Sequence, residues 1–181
     1  DLFEILDIIQ KWKRKTDINS QGAGVYGVLY YQLVSNYRNE ILENDNTVSK
    51  ETLLSALSDI KSYLTDNFGS INITLGDFQK LVRGDIEIPI WGLPDVITAM
   101  SSRPYKDGRR KVTQGESYIG LIRFNDKGPT IESIISFGNS DNPDSEHYTD
   151  QMELYSKFKT KRMTFDKQEI YSKAKSIYNP N

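Results

Sequence analysis

The sequence contains no cysteine and a single histidine. The first absence removes disulfides, zinc–thiolate sites, iron–sulfur clusters and cysteine nucleophiles together. It leaves the redox compartment open, because a cysteine-free chain is stable in either. One imidazole without thiols also makes a zinc site a poor expectation. An excess of charge of one sign is missing too: 23 Lys and Arg stand against 25 Asp and Glu, a formal net charge of −2. No overall field draws such a protein onto a polyanion, so neither nucleic acid nor an anionic membrane is expected as a partner. No apolar run approaches the roughly 18 residues of a membrane-crossing helix, and no membrane insertion is expected. Asp1-Leu2-Phe3-Glu4-Ile5-Leu6 shows neither an initiator methionine nor a signal peptide. The expectation is a chain that starts inside a longer protein, the plainer alternative being a leader or tag that was removed.

What is present is ordinary globular material. The chain has 181 residues, 37% hydrophobic and 27% charged, with eleven Tyr and seven Phe, and at about 150 residues per domain this length predicts one domain or one large piece of a bigger protein. Leu2, Ile5, Leu6, Ile9 and Trp12 recur at helical spacing, with Lys11, Lys13, Arg14 and Lys15 at the end where cations suit the helix dipole. In a second helix Val25, Leu29, Gln32, Leu33 and Tyr37 share a side, and Tyr26, Tyr30 and Tyr31 widen its apolar stripe. Ser49 caps a third, carrying Leu53, Leu57, Ile60 and Leu64 and closing at Asn67-Phe68-Gly69. Thr74-Leu75-Gly76-Asp77 has capping-box form ahead of Phe78, Leu81 and Val82, and predicts a two-turn helix stopped by Gly84.

Pro89, Pro94 and Pro104 with Gly92, Gly108 and Gly115 predict a stretch that is mostly loop over 85–116, with one helical turn around Asp95 to Met100. Ser117 to Phe124 and Thr130 to Phe137 read as strands joined by the turn Asn125-Asp126-Lys127-Gly128-Pro129. Their isoleucines and Leu121 point to both faces, which predicts a hairpin inside a covered sheet. A short helix within Asp150 to Phe158, a short strand at Arg162 to Phe165 and a helix capped by Asp166 with Glu169 complete the reading. The expectation is an α+β chain forming one segment, 1–181. Within it 1–84 is mainly helical, 85–116 a Pro/Gly-rich loop, 117–137 a β-hairpin and 138–181 a loop and terminal helix. A two-stranded hairpin is too small a sheet to stand alone, so it should continue into chain outside this sequence.

Few residues offer chemistry. Ser140, Asp141, Asn142 and Asp144 supply oxygens in one loop, but without the order of an EF-hand or its final bidentate Glu, so a solvated turn is the better reading than bound calcium. No Gly-x-Ser-x-Gly elbow accompanies His147, which reads as a hydrogen-bonded residue pinning its loop. Gly22-Ala23-Gly24 lacks the third glycine and the preceding strand of a dinucleotide fingerprint, and no phosphate-loop motif occurs, so no cofactor is expected in this segment. The basic stretches Arg103, Lys106, Arg109, Arg110 and Lys111, and Lys157, Lys159, Lys161 and Arg162, read as solvated faces.

A resemblance adds to this. Gly115-Glu116-Ser117-Tyr118-Ile119, then Gly128-Pro129, Ser136-Phe137-Gly138-Asn139-Ser140-Asp141-Asn142-Pro143 and His147-Tyr148-Thr149-Asp150-Gln151 resemble the closing strand, turn, strand and Gly-Gln-Ser-x-x-Pro-x-Ser-x-His-Tyr-x-Asp-Gln loop of the β chain of penicillin acylase family enzymes. Asn139 stands where Gln is common. Thr74-Leu75-Gly76-Asp77 and Gly92-Leu93-Pro94-Asp95 resemble the family's Trp-Gly-Asp helix and Gly-Gly-Pro-Asp loop, with Leu75 in place of Trp. Trp12, Asp17 and Gly22-Ala23 resemble a third, weaker segment.

The resemblance implies a C-terminal portion of an αββα N-terminal-nucleophile hydrolase that splits a linear amide into an acid and an amine. The serine nucleophile, the oxyanion donors and any structural calcium ligands would lie in preceding chain, so no catalytic residue and no metal ligand is expected here, and the segment should be inactive alone. Its partners would be the remainder of the β chain, the α chain and a small-molecule amide, in a periplasmic or secreted enzyme. His147, Tyr148, Asp150 and Gln151 are implied to be a structural loop tying chain segments together. The alternative from another class is a stand-alone, non-catalytic binding domain that uses 85–116 as its recognition surface.

Overall fold

A computed structural model describes residues 2–43, 45, 47–126 and 128–178. The chain divides into two compact units, residues 1–116 and 117–181. The first begins with helices α1 (Leu2–Lys11), α2 (Gln21–Asn36), α3 (Arg38–Glu43), α4 (Lys50–Phe68) and the single turn α5 (Leu75–Phe78). Three of the starts follow local capping chemistry. The Ser20 hydroxyl accepts from the Ala23 amide at 3.1 Å and that of Ser49 from Thr52 at 3.0 Å, while Thr74 and Asp77 form a reciprocal capping box. Gly69, at φ 68°, closes α4 where the sequence placed its end.

The N-terminal half of α2 is buried all round, and Ala23, Val25, Val28 and Leu29 pack with Ile5, Leu57, Ile60 and Leu64 into one core. Gly24 is there for close approach: a Cβ on it would lie 2.6 Å from the Thr74 carbonyl carbon. The Gly22-Ala23-Gly24 run is thus a packing device between helix and neighbouring backbone.

Four strands follow, β1 (Gln79–Arg83), β2 (Ile86–Pro89), β3 (Met100–Pro104) and β4 (Arg110–Gly115), in the order β2-β1-β4-β3. Three expectations are corrected here. The helix expected to run on to Gly84 stops after one turn, because Gln79 is extended (φ −118°, ψ 132°) and Leu81 and Val82 pair with Ile88 and Glu87. Gly84, at φ 57°, opens the two-residue turn between β1 and β2 instead of ending a helix. Residues 85–116 are not mostly loop: Pro89 and Pro104 end strands, where a missing amide costs no ladder bond. No helix forms around Asp95 to Met100, since Asp95 takes the left-handed φ of 57° and Met100 already pairs with Gly115.

The second unit holds β5 (Tyr118–Asn125), β6 (Gly128–Ile135), α6 (Met152–Ser156), β7 (Lys161–Met163) and α7 (Lys167–Lys173), with the antiparallel order β5-β6-β7. The hairpin forms as expected, but its ladder runs from Tyr118 opposite Ile135 to Asn125 opposite Gly128, so Asn125, Gly128 and Pro129, read as turn, belong to the strands; Lys127 lies outside the described residues. Within the second unit the hairpin keeps apolar side chains exposed. Leu121 and Ile122, neighbours on opposite faces, are both about half exposed, and Phe124 is 84% exposed. Among the described residues no helix is long and apolar enough to cross a membrane.

Candidate functional site

The loop after β6 brings the four singled-out residues together, in two different roles. Gly138 lets the chain fold onto itself, for a Cβ there would fall 2.0 Å from the His147 carbonyl oxygen. That oxygen accepts the Ser140 amide at 3.1 Å, closing the loop at its neck. Inside it, side-chain oxygens substitute for absent secondary structure: Ser140 Oγ accepts the Asn142 amide, Asn142 Oδ1 the Asp144 amide and Ser145 Oγ the His147 amide. The Ser140 and Asn142 oxygens read as possible calcium donors are thus occupied by backbone. Among the described residues, no group of three or more His, Cys, Asp or Glu could hold a metal ion.

His147 is exposed, with Nδ1 2.9 Å from Asp150 Oδ2 and Nε2 3.6 Å from Glu146 Oε1. Glu146 also pairs with Lys175, whose hydrogen bond holds its carboxyl below the usual glutamate range. An imidazole and a carboxylate are two members of a Ser-His-acid triad, but Nε2 faces a second carboxylate instead of a hydroxyl, so no nucleophile is poised. Tyr148 donates its amide to the Ser145 carbonyl at 3.0 Å and sits half-buried.

Gln151 is the buried member, 3% exposed. Its amide donates to the Phe137 carbonyl at 2.8 Å, and its side-chain oxygen accepts the Ile135 amide at 3.3 Å. The Gln151 side chain thereby satisfies the end of β6 as a neighbouring strand would. The loop is organised to hold backbone, with Gln151 as its anchor and His147 on its rim.

Two polar clusters went unread in the sequence. Gln79 is fully buried, and its Nε2 donates to the Trp91 and Gly92 carbonyls at 3.3 and 2.8 Å. Arg110 corrects the solvated-face reading of its stretch. Lys106 does pair with Glu87, but the Arg110 guanidinium lies 3.5 Å from the centre of the Tyr31 ring and bonds Ser102. The one signal available was the run of tyrosines on α2, which offers aromatic faces to a cation.

This is an α+β chain whose polar loop fastens strands and whose lone imidazole is engaged by carboxylates. The chain belongs to the penicillin amidase family, whose model matches residues 2–172. It is 37% identical over 98 residues to the acyl-homoserine lactone acylase PvdQ of Pseudomonas syringae pv. syringae (strain B728a), a match covering 52% of this chain and 13% of that protein. The PvdQ acylase of Pseudomonas fluorescens (strain Pf0-1) is 35% identical over 98 residues, with the same coverage. Among solved structures, a thermostable penicillin G acylase from Alcaligenes faecalis matches with a TM-score of 0.34 and 16% identity, over 99% of this chain and 37% of that one. The match therefore spans about an eighth of the length of these curated relatives.

Proposed function

We propose that the chain is the C-terminal part of the β chain of an amidohydrolase of this family. The whole protein would add water across a linear amide, releasing a carboxylic acid and an amine. The observation that carries the reading is the family match over residues 2–172, in a chain whose 98-residue match to an acylase relative covers 13% of that relative. The exposed apolar β5–β6 hairpin agrees with it, because such a surface calls for cover from more chain.

In this reading a serine at the start of the β chain attacks the amide carbonyl, its own α-amine takes the proton, and backbone and amide donors hold the oxyanion. All of these groups lie in the remainder of the protein, together with any structural calcium. Residues 1–181 contribute scaffold: helices and strands that pack on the rest of the β chain and on the α chain, and a loop pinned by Gln151. The setting is periplasmic or secreted.

The test compares the intact protein with residues 1–181 alone, using N-acyl homoserine lactones and a phenylacetyl amide and measuring released amine. Turnover by the intact protein and none by the segment is expected. Turnover by residues 1–181 alone overturns the reading, as does an intact protein that is monomeric, folds cooperatively at this length and hydrolyses neither substrate.

A further inference from the structure

We propose that a cleft between α2, α4 and the β3–β4 pair binds a carboxylate, with Arg110 and Tyr31 as its donors. The cleft has a volume of about 220 Å³ and is walled by Val28, Tyr31, Gln32, Ser35, Tyr63, Phe78, Pro104 and Arg110. That is smaller than the roughly 300–1,000 Å³ of a drug-sized ligand pocket, and suits a small acid or one Asp or Glu side chain. The site stands whether or not the amidase reading holds.

Arg110 is half-buried, and among the described residues no Asp or Glu forms an ion pair with it. Its Nε donates to Ser102 Oγ at 3.1 Å, and one Nη2 proton goes to the Ser102 carbonyl. The guanidinium is also held by the Tyr31 side chain, which favours its charged form. Ser102 Oγ, having accepted from Arg110, donates to Tyr31 Oη at 3.0 Å, and the Ser102 amide donates to the same oxygen at 3.0 Å. The Tyr31 oxygen is therefore an acceptor twice over, and its own O–H is left as a donor on the cleft wall. Tyr63 adds no donor, because its hydroxyl is spent on the Gly108 carbonyl at 2.5 Å.

Arginine donates to serine and serine to the Tyr31 oxygen, and Tyr31 itself lines the cleft. A guanidinium and a phenol beside Val28, Phe78 and Pro104, with Gln32 and Ser35 as further polar neighbours, match a monoanionic, planar acceptor with an apolar body. Burial pushes the guanidinium down from its ordinary value, as expected of a charge taken from water without a counter-ion. A dianionic phosphate would find one positive charge here instead of the cluster it requires.

The experiment titrates the intact protein with sodium benzoate and, separately, with inorganic phosphate, by calorimetry, and measures melting temperatures of Arg110→Gln and Arg110→Lys. If the carboxylate is a free acid, benzoate binds saturably and more tightly than phosphate, and Arg110→Gln weakens it about tenfold or more, the scale of one charged hydrogen bond. Arg110→Lys should restore only part, since lysine lacks the fork. If the carboxylate belongs to another stretch of the polypeptide, benzoate does not bind, both variants lower the melting temperature, and a double-mutant cycle couples Arg110 to one Asp or Glu. Tighter binding of phosphate overturns the proposal. So does absence of benzoate binding with unchanged melting temperatures, or with losses that couple to no acidic residue.

Discussion

Residues 1–116 bury their apolar side chains in a core of their own, whereas in 117–178 Ile134, Met152 and Tyr155 are the buried hydrophobic residues and Tyr118, Leu121, Ile122, Phe124, Met163, Phe165 and Tyr171 are exposed. Ile and Tyr are plentiful in both regions, though Leu and Val are concentrated in the first. Architecture separates them as well. A helix such as α4 needs one stripe covered and finds it on α1 and α2, while a three-stranded sheet has two faces and one small helix, α6, against it. The first region has a core of its own, and the second leaves much of the apolar surface of its sheet exposed.

Core truncation should break this comparison most sharply. In residues 1–181 alone, Ile60→Ala, at a fully buried site, is expected to cost about 2–5 kcal/mol. Ile122→Ala should stay within about 0.5 kcal/mol. In the intact protein the second cost should rise toward the first, measured by denaturant unfolding of both lengths. An Ile122→Ala effect equally small in both would mean that nothing covers the hairpin.

Next in size are the two glycines on which backbones close. Gly24→Ala would place a methyl 2.6 Å from the Thr74 carbonyl carbon, and Gly138→Ala one 2.0 Å from the His147 oxygen. Each should cost about 1–3 kcal/mol or more through forced backbone movement. Hydrogen exchange gives the contrast: the first variant should loosen α2 and α5, and the second only the loop from 138 to 151. Global loss of protection from Gly138→Ala would show that the second region is as cooperative with the rest as any core element.

How much of this was legible depended on which force set each element. Helices α1, α2 and α4 were legible because side-chain periodicity acts locally, as do the cap at Ser49 and the stop at Gly69; the Ser20 cap, which starts α2 at Gln21, was missed. The β3 and β4 strands were missed because Met100-Ser101-Ser102-Arg103-Pro104 and Arg110-Lys111-Val112-Thr113-Gln114-Gly115 carry no apolar alternation. They are strands because β1 offers Gln79 and Lys80 as partners to Arg110 and Lys111, a contact across about thirty residues that no local pattern records. The penicillin acylase resemblance is borne out at the level of the family. In the loop, the joint presence of His147, Tyr148, Asp150 and Gln151 was readable. Their ranking was not, because burial of Gln151 depends on where β6 ends.

That ranking gives a smaller comparison inside the second region. Gln151→Ala removes the acceptor of the Ile135 amide and should cost about 1–3 kcal/mol, the penalty of an unpaired buried donor. His147→Ala removes an exposed pair with Asp150 and should cost about 1 kcal/mol or less. The sequence points to the imidazole as the pin; the geometry gives that task to the amide. In an active intact protein, both variants should leave kcat nearly unchanged once folded protein is counted, and the yield of folded material should fall more for Gln151→Ala.

The slightest expected effect is one of pH, and it separates the C-terminal elements of the second region from its sheet. Glu169 accepts from Lys173 at 2.6 Å and Thr164 at 2.7 Å and faces Arg162, and these partners, Lys173 foremost, lower its carboxyl from 4.5 to about 2. A carboxyl depressed on folding binds its proton more readily in the unfolded chain, so its stabilisation is fully present above about 4.5 and is lost as pH falls toward about 2. The α7 helix and its junction with β7 should therefore loosen in that window while β5 and β6 stay paired, followed by amide protection at stepped pH. Glu169→Gln should abolish the pH dependence of α7 and leave it partly loosened at neutral pH. Equal loosening of α7 and the hairpin in both proteins would show that acid acts on the whole region and not through this carboxylate.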